Sequence, residues 1–248
     1  MSQAPPSRES LITQQYHRHE YAGEEFRPVV LRPNAVSTAH WDDLARLGRN
    51  ERGRLLEIGC GNGATLLAMG EQYDGLVGLD YLQPRIDIAN SALERHYPHL
   101  KSKVQFICAS ADQRLPFDDG AFDVVMACVV LEFVADIFTA LDELARVCRP
   151  GGCALIAVAN VCYVKHVVDM LRGRIPMTAA VSRNPADWRK HGWDGGTLRY
   201  FSKRTLGDVL KHIGFVPEEW SGYGSYAKLR RWYLNLCGGI CVRARRES

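Results

Sequence analysis

The chain has no run of roughly 18 uncharged apolar residues, the length a helix needs to cross a bilayer. Its first twenty residues hold no apolar core of the kind that directs secretion. Both absences lead to the expectation of a soluble, cytoplasmic protein. The eight cysteines, at 60, 108, 128, 148, 153, 162, 237 and 241, include no CxxC pair, so no zinc knuckle or redox motif is written in them. Several fall inside apolar runs, where a free thiol packs as a small hydrophobe, and no metal is expected. A dominant charge is missing too. The 31 Lys and Arg stand against 28 Asp and Glu, a formal +3, too mild to announce nucleic acid by itself. No internal repeat is found, and 248 residues suffice for a sizeable core in one domain with an insertion.

What is present is concentrated in residues 55–63, LLEIGCGNG. An apolar run ends in a carboxylate and is followed by glycines at 59, 61 and 63, which reads as a buried strand entering a tight turn before a helix near Ala64. Glycine there lets a ligand approach the main chain closely. Gly59, Gly61 and Ala64 also satisfy the dinucleotide pattern, with Asp80 about 20 residues on. Glu57 separates the two readings: a fixed carboxylate opposes a pyrophosphate and attracts a cation. S-adenosylmethionine carries that cation and no phosphate.

Along the chain, residues 1–30 are polar, contain Pro5 and Pro6 and show no sustained period, so they read as a flexible arm that becomes ordered near Tyr21 to Val30, a plain tail in preference to a lid. A helix is expected over 36–47, and strand and helix then alternate: strands at 54–58, 75–79, 104–108, 122–128 and 153–159, helices at 63–72, 84–95 and 137–148. Short apolar strands separated by helices imply a parallel sheet covered on both faces. Beyond Asn160 the pattern predicts a helix over 162–174, a loop over 176–196, a helix over 202–213, and strands at 215–220 and 239–245. Leu229, Trp232, Tyr233, Leu236, Cys237 and Ile240 share one helical face between those last strands.

With Glu57, the glycines, Asp80, LPFDDGAFDVV at 115–125 and RPGG at 149–152 in order, the chain resembles the class I S-adenosylmethionine-dependent methyltransferases, within the methyltransferase domain 11 or 12 type. The likeness covers about residues 50–160 well. It implies an α/β Rossmann-like sheet of seven strands, the last antiparallel, with helices on both faces and an insertion after the fifth strand. It divides residues 31–248 into a cofactor half (50–160), a substrate-side insertion (161–204) and C-terminal strands (205–248). Glu57, Gly59, Cys60, Gly61 and Gly63 are expected beside the methionine part of S-adenosyl-L-methionine, and Asp80 on the ribose hydroxyls, with Tyr81 next to the adenine face. In the third loop relatives commonly read DAxxLPF, whereas this chain reads Ser110, Ala111, Asp112. Asp112, with Ala111 as a backbone donor, is the favoured adenine contact, the alternative being Ser110 and Ala111 with a longer loop. Cys128 closes the fourth strand and is the last residue expected at the cofactor, followed by Leu131, Glu132 and Phe133 where many relatives have Leu-Glu-His. In TLRYF at 197–201, Thr197 stands where relatives acting on small molecules, lipids and saccharides carry a histidine.

Methyl transfer from a sulfonium is an in-line displacement, and a hydroxyl acceptor gains from a general base. The candidates are His191, then His166, with Glu132 near the transfer site and Tyr163 and Asp194 behind them. Residues 165–204 hold nine Lys and Arg against three Asp, and Arg199 with Trp188 and Trp193 suggests a basic aromatic lining for an anionic acceptor. The expected activity is methyl transfer to a small-molecule, lipid or saccharide acceptor, with membrane-surface contact as an option. The alternatives are an RNA methyltransferase or a non-catalytic cofactor-binding or peripheral membrane protein. Nucleic acid is disfavoured because CVVLEF at 128–133 lacks the Asn/Asp-Pro-Pro-aromatic signature. The sequence leaves the oligomeric state open.

Overall fold

The computed structural model describes residues 17, 21, 23–32, 39–178, 184, 186, 193–226 and 232–248. Seven strands form one sheet in the order β3-β2-β1-β4-β5-β7-β6. They are β1 Arg54–Ile58, β2 Gly75–Asp80, β3 Val104–Cys108, β4 Phe122–Cys128, β5 Cys148–Ala159, β6 Phe215–Tyr223 and β7 Gly239–Arg246. β1 to β5 pair in parallel, and β7 runs antiparallel to both β5 and β6. The helices are α1 His40–Leu47, α2 Ala64–Ala68, α3 Gln83–His96, α4 Ile137–Val147, α5 Val164–Leu171 and α6 Lys203–His212.

The strands read as continuous apolar runs because both faces are covered. In β4, Val125 and Ala127 enter one core with Leu56 and Ile58 of β1. Val124 and Met126 enter the other, with Leu55 of β1 and Leu44 and Leu47 of α1. Alternate residues along a strand must point to opposite faces, so two apolar layers require a run without alternation.

Local chemistry sets the ends. Pro84 sits in the first turn of α3, where its missing donor does no harm. Asp136 and Ser202 cap α4 and α6, each accepting the backbone N–H three residues on at 3.1 Å. RPGG at 149–152 does not stand between a helix and a later strand as the sequence suggested. β5 already begins at Cys148, and the four residues form a bulge that lets Cys148 pair with Phe122 and Cys153 with Val124. The helical face drawn through 229–240 is not formed in its described part. Residues 234–236 make a single 3₁₀ turn, Trp232 is 81% exposed, and β7 starts at Gly239. Pairing of Ile240 with both Val158 and Gly222 outweighs the local period. Among the described residues no helix is long and apolar enough to cross a membrane, and no cluster of metal-ligating side chains is found.

Candidate active site

Parallel strands deliver their C-terminal ends to one edge of the sheet, and the residues that follow β1, β2, β3 and β4 meet there around a cleft. Its inner part is lined by Glu57, Gly59, Cys60, Gly61, Asp80, Tyr81 and Cys128. Its outer part is lined by Asp80, Tyr81, Ser110, Ala111, Asp112 and Phe133. Nine of the ten cofactor positions expected from the sequence thus border one continuous space. The tenth, Gly63, stands behind it at φ +78, against Phe106.

The turn after β1 requires glycine for two reasons. Gly59 lies at φ +66, and a Cβ on it would come within 2.3 Å of the Val130 side chain across the cleft. Asp80 then fixes the loop. Its Oδ2 accepts the Gly61 N–H at 2.9 Å and its Oδ1 accepts the Leu82 N–H at 2.9 Å. A carboxylate has about four acceptor sites, so both oxygens keep lone pairs for ligand hydroxyls.

Glu57 is 2% exposed, and its Oε2 has no hydrogen-bond partner among the described residues. Burial first, then the charge of Asp80, pushes its carboxyl up to about 8, against the pull of Arg85. An unsatisfied buried carboxyl oxygen at a cleft wall is costly unless a donor arrives from outside the chain. An ammonium group is such a donor, so the residues fit the amino-acid end of S-adenosylmethionine. Burial likewise raises the Cys60 and Cys128 thiols well above their ordinary range. Both therefore line the cleft as neutral groups.

In the outer part, the Ser110 hydroxyl donates to Asp112 Oδ1. The two readings of this loop converge on one wall, since Ser110, Ala111 and Asp112 all face the same space.

Of the segment read as a tail, the described residues His17, Tyr21 and Val29 line the inner cleft. Glu24 forms a paired salt bridge with Arg85, at 2.8 and 3.1 Å, and accepts from Asn62 of the glycine loop at 3.2 Å. Arg85 also lies 3.9 Å over the Tyr21 ring. His17 bonds the Tyr81 hydroxyl and meets Phe133 edge-on at 5.4 Å.

The expected catalytic residues fare differently. His191 lies outside the described residues, as does Trp188. His166 is on α5, buried, edge-on to Tyr163 at 5.2 Å. It lines a separate outer cavity with Lys165, Arg172 and Arg174. Glu132 is not on the cleft wall. Its Oε1 accepts the Ala159 N–H at 2.6 Å, tying the β4 exit to β5, and burial pushes it up to about 7. Asp194 is fully buried and accepts both the Thr178 N–H and its hydroxyl at 2.9 Å. Arg199, read as an anion clamp, donates to the Val134 and Ala135 carbonyls, the latter at 2.6 Å, and so pins the cleft-lining loop after β4.

Sequence reasoning missed His40 and Val129. His40 begins α1 and lines the inner cleft, with burial lowering it to about 4. It packs edge-on against Tyr223 at 5.4 Å. Val129 follows β4 at φ +52 beside Cys128, a left-handed conformation costly for a β-branched residue and often met where function over-determines the backbone. Position 40 carried no motif, and no side-chain pattern signals a strained Val.

This architecture, with a carboxylate before the glycine turn and another closing β2, is that of the class I S-adenosylmethionine-dependent methyltransferases, and S-adenosylmethionine is the cofactor it implies. Residues 56–156 match the family model of the methyltransferase domain. The demethylmenaquinone methyltransferase of Lactococcus lactis is 25% identical over 192 residues, 74% of each chain. The 27-O-demethylrifamycin SV methyltransferase of Amycolatopsis mediterranei is 38% identical over 101 residues, covering 40% of this chain and 36% of the relative. Among solved structures, the 4+2 cyclase SpnF superposes with a TM-score of 0.65 over 99% of both chains at 21% identity, a likeness of fold.

Proposed function

We propose that the chain transfers a methyl group from S-adenosylmethionine to a small organic acceptor bearing a hydroxyl or an activated ring carbon. The observation that carries this reading is the unpartnered Glu57 Oε2 on the cleft wall, together with Asp80 and the glycine turn. Relatives named for demethylmenaquinone and for 27-O-demethylrifamycin SV support an acceptor of that size.

The sulfonium supplies an already activated methyl group. Glu57 would hold the ammonium, Asp80 the ribose hydroxyls, and the wall from Ser110 to Asp112 the adenine edge. The protein's main task is then alignment in a dry site, which supplies on the order of 7–11 kcal/mol. Val130 and Phe133 form the apolar side that keeps water out. For a hydroxyl acceptor we assign the proton to His40 on the inner wall; His166 lines a separate cavity, and His191 lies outside the described residues. General bases contribute a factor of about 10² to 10⁴ when their pKa lies near the working pH, and His40, lowered to about 4, is a weak base at or below the low end of that range. The cations behind the expected anionic acceptor lie off the cleft wherever they are described: Arg199 is engaged by carbonyls, and Lys165, Arg172 and Arg174 line the separate outer cavity.

The test is transfer of labelled methyl from S-adenosylmethionine to a panel of catechols and hydroquinones, with and without apolar tails, and to total RNA. Labelling of members of the small-molecule panel supports the reading. Cofactor binding with no transfer, or transfer to RNA alone, overturns it.

A further inference from the structure

Helix α5 is turned inside out. Its apolar stripe, Val164, Val167, Val168 and Leu171, follows the i, i+3, i+4, i+7 spacing that a core-packed helix directs inward. Here Val167, Val168 and Leu171 are exposed, Leu171 at 83%, while the polar His166 and Asp169 are the buried members. Met170 and Ile175 extend the exposed apolar surface. Lys165, Arg172 and Arg174 are exposed around it, and the one acidic side chain between 161 and 178, Asp169, is buried.

We propose that this face docks on an anionic lipid surface. An apolar crest flanked by cations and, within residues 161–178, free of exposed acids is complementary to acyl chains beneath negative headgroups. A second copy of the chain is the poorer occupant, because a two-fold axis through the crest would bring two sets of three cations together with nothing to neutralise them. The helix leaves the C-terminal end of β5, the same sheet edge that carries the cleft. Docking through it therefore brings the cleft edge to the lipid. This goes beyond the methyl-transfer reading, because vesicle binding is measured without any acceptor.

The experiment is cosedimentation of the full chain with phosphatidylcholine vesicles with and without phosphatidylglycerol, at low and high salt. Binding to the phosphatidylglycerol vesicles is expected, weakening with salt. Leu171→Asp, and separately the Arg172→Gln, Arg174→Gln pair, should each reduce it about tenfold or more. Binding of S-adenosylhomocysteine by every variant serves as the control for folding and for the cofactor site. The proposal is overturned if the wild type stays in the supernatant with anionic vesicles, if folded variants bind like the wild type, or if Leu171→Asp instead dissociates a dimer.

Discussion

Glu57 is where burial and charge disagree most. The folded protein holds a proton on it up to about pH 8, whereas the unfolded chain releases that proton near the ordinary value of 4.5. Its contribution to stability is therefore greatest below about 4.5 and is lost as pH rises to about 8. Glu132, raised to about 7, adds to the same slope. Glu57→Gln should flatten the Glu57 part and raise the melting temperature of the ligand-free protein at pH 8, measured by scanning calorimetry. A cationic ligand reverses the preference. Wild-type affinity for S-adenosylhomocysteine should climb from pH 6 to pH 8 as the carboxyl ionises, by up to about tenfold per unit. Glu57→Gln should remove that climb and bind about tenfold or more weakly at pH 8. Titrations at both pH values decide, and a pH-independent wild type would contradict this electrostatic account. Asp80→Ala reaches further than a lost ligand contact, because it also frees the Gly61 N–H that pins the loop. It should abolish cofactor binding and cost about 1–3 kcal/mol of stability in urea.

At the scale of elements, segments distant in sequence hold the cleft shut. Glu24 grips Arg85 at the start of α3 and Asn62 in the glycine turn, and Arg199 holds the loop after β4. Glu24→Gln should leave the fold intact and speed S-adenosylhomocysteine release several-fold in stopped flow, since a neutral amide replaces a charge-assisted paired contact. An unchanged release rate would make the arm a passenger. Arg199→Met should increase hydrogen exchange at 130–135, and unchanged protection there would deny it the pinning role. These contacts explain what was legible in the sequence. The five parallel strands were readable because two-faced burial writes itself as apolar runs, and the glycine turn because backbone geometry admits no other residue at 59. The closing arm was not, because Tyr21, Glu24 and Arg85 acquire meaning only when α3 brings them together. Residues 229–240 misled because sheet pairing by Ile240 overrode a helical period that was present but unused. Arg199 read as a free cation because sequence spacing cannot reveal a carbonyl partner more than sixty residues away.

For the whole molecule, the order β3-β2-β1-β4-β5-β7-β6 gathers the turns after β1, β2, β3 and β4 at one edge, which is why Glu57 and Asp112 line one continuous cleft. The cofactor side was legible because its chemistry is local to strand ends. The acceptor side was not, because α5, Asp194 and the 197–201 stretch are arranged by contacts such as Leu198 N–H to the Glu132 carbonyl at 2.9 Å. A ligand that binds only the folded state stabilises it by about 2.7 kcal/mol at a hundred times its dissociation constant. A rise of roughly 2–4 °C per kcal/mol is then expected for a chain of this size. S-adenosylhomocysteine should produce that shift and NAD should not. The most direct measurement is calorimetric titration of the purified protein at pH 8 with S-adenosylhomocysteine and with NAD. Saturable one-site binding of the first alone is the predicted result. Binding of NAD, or heat from neither, would contradict the assignment of the cleft to S-adenosylmethionine.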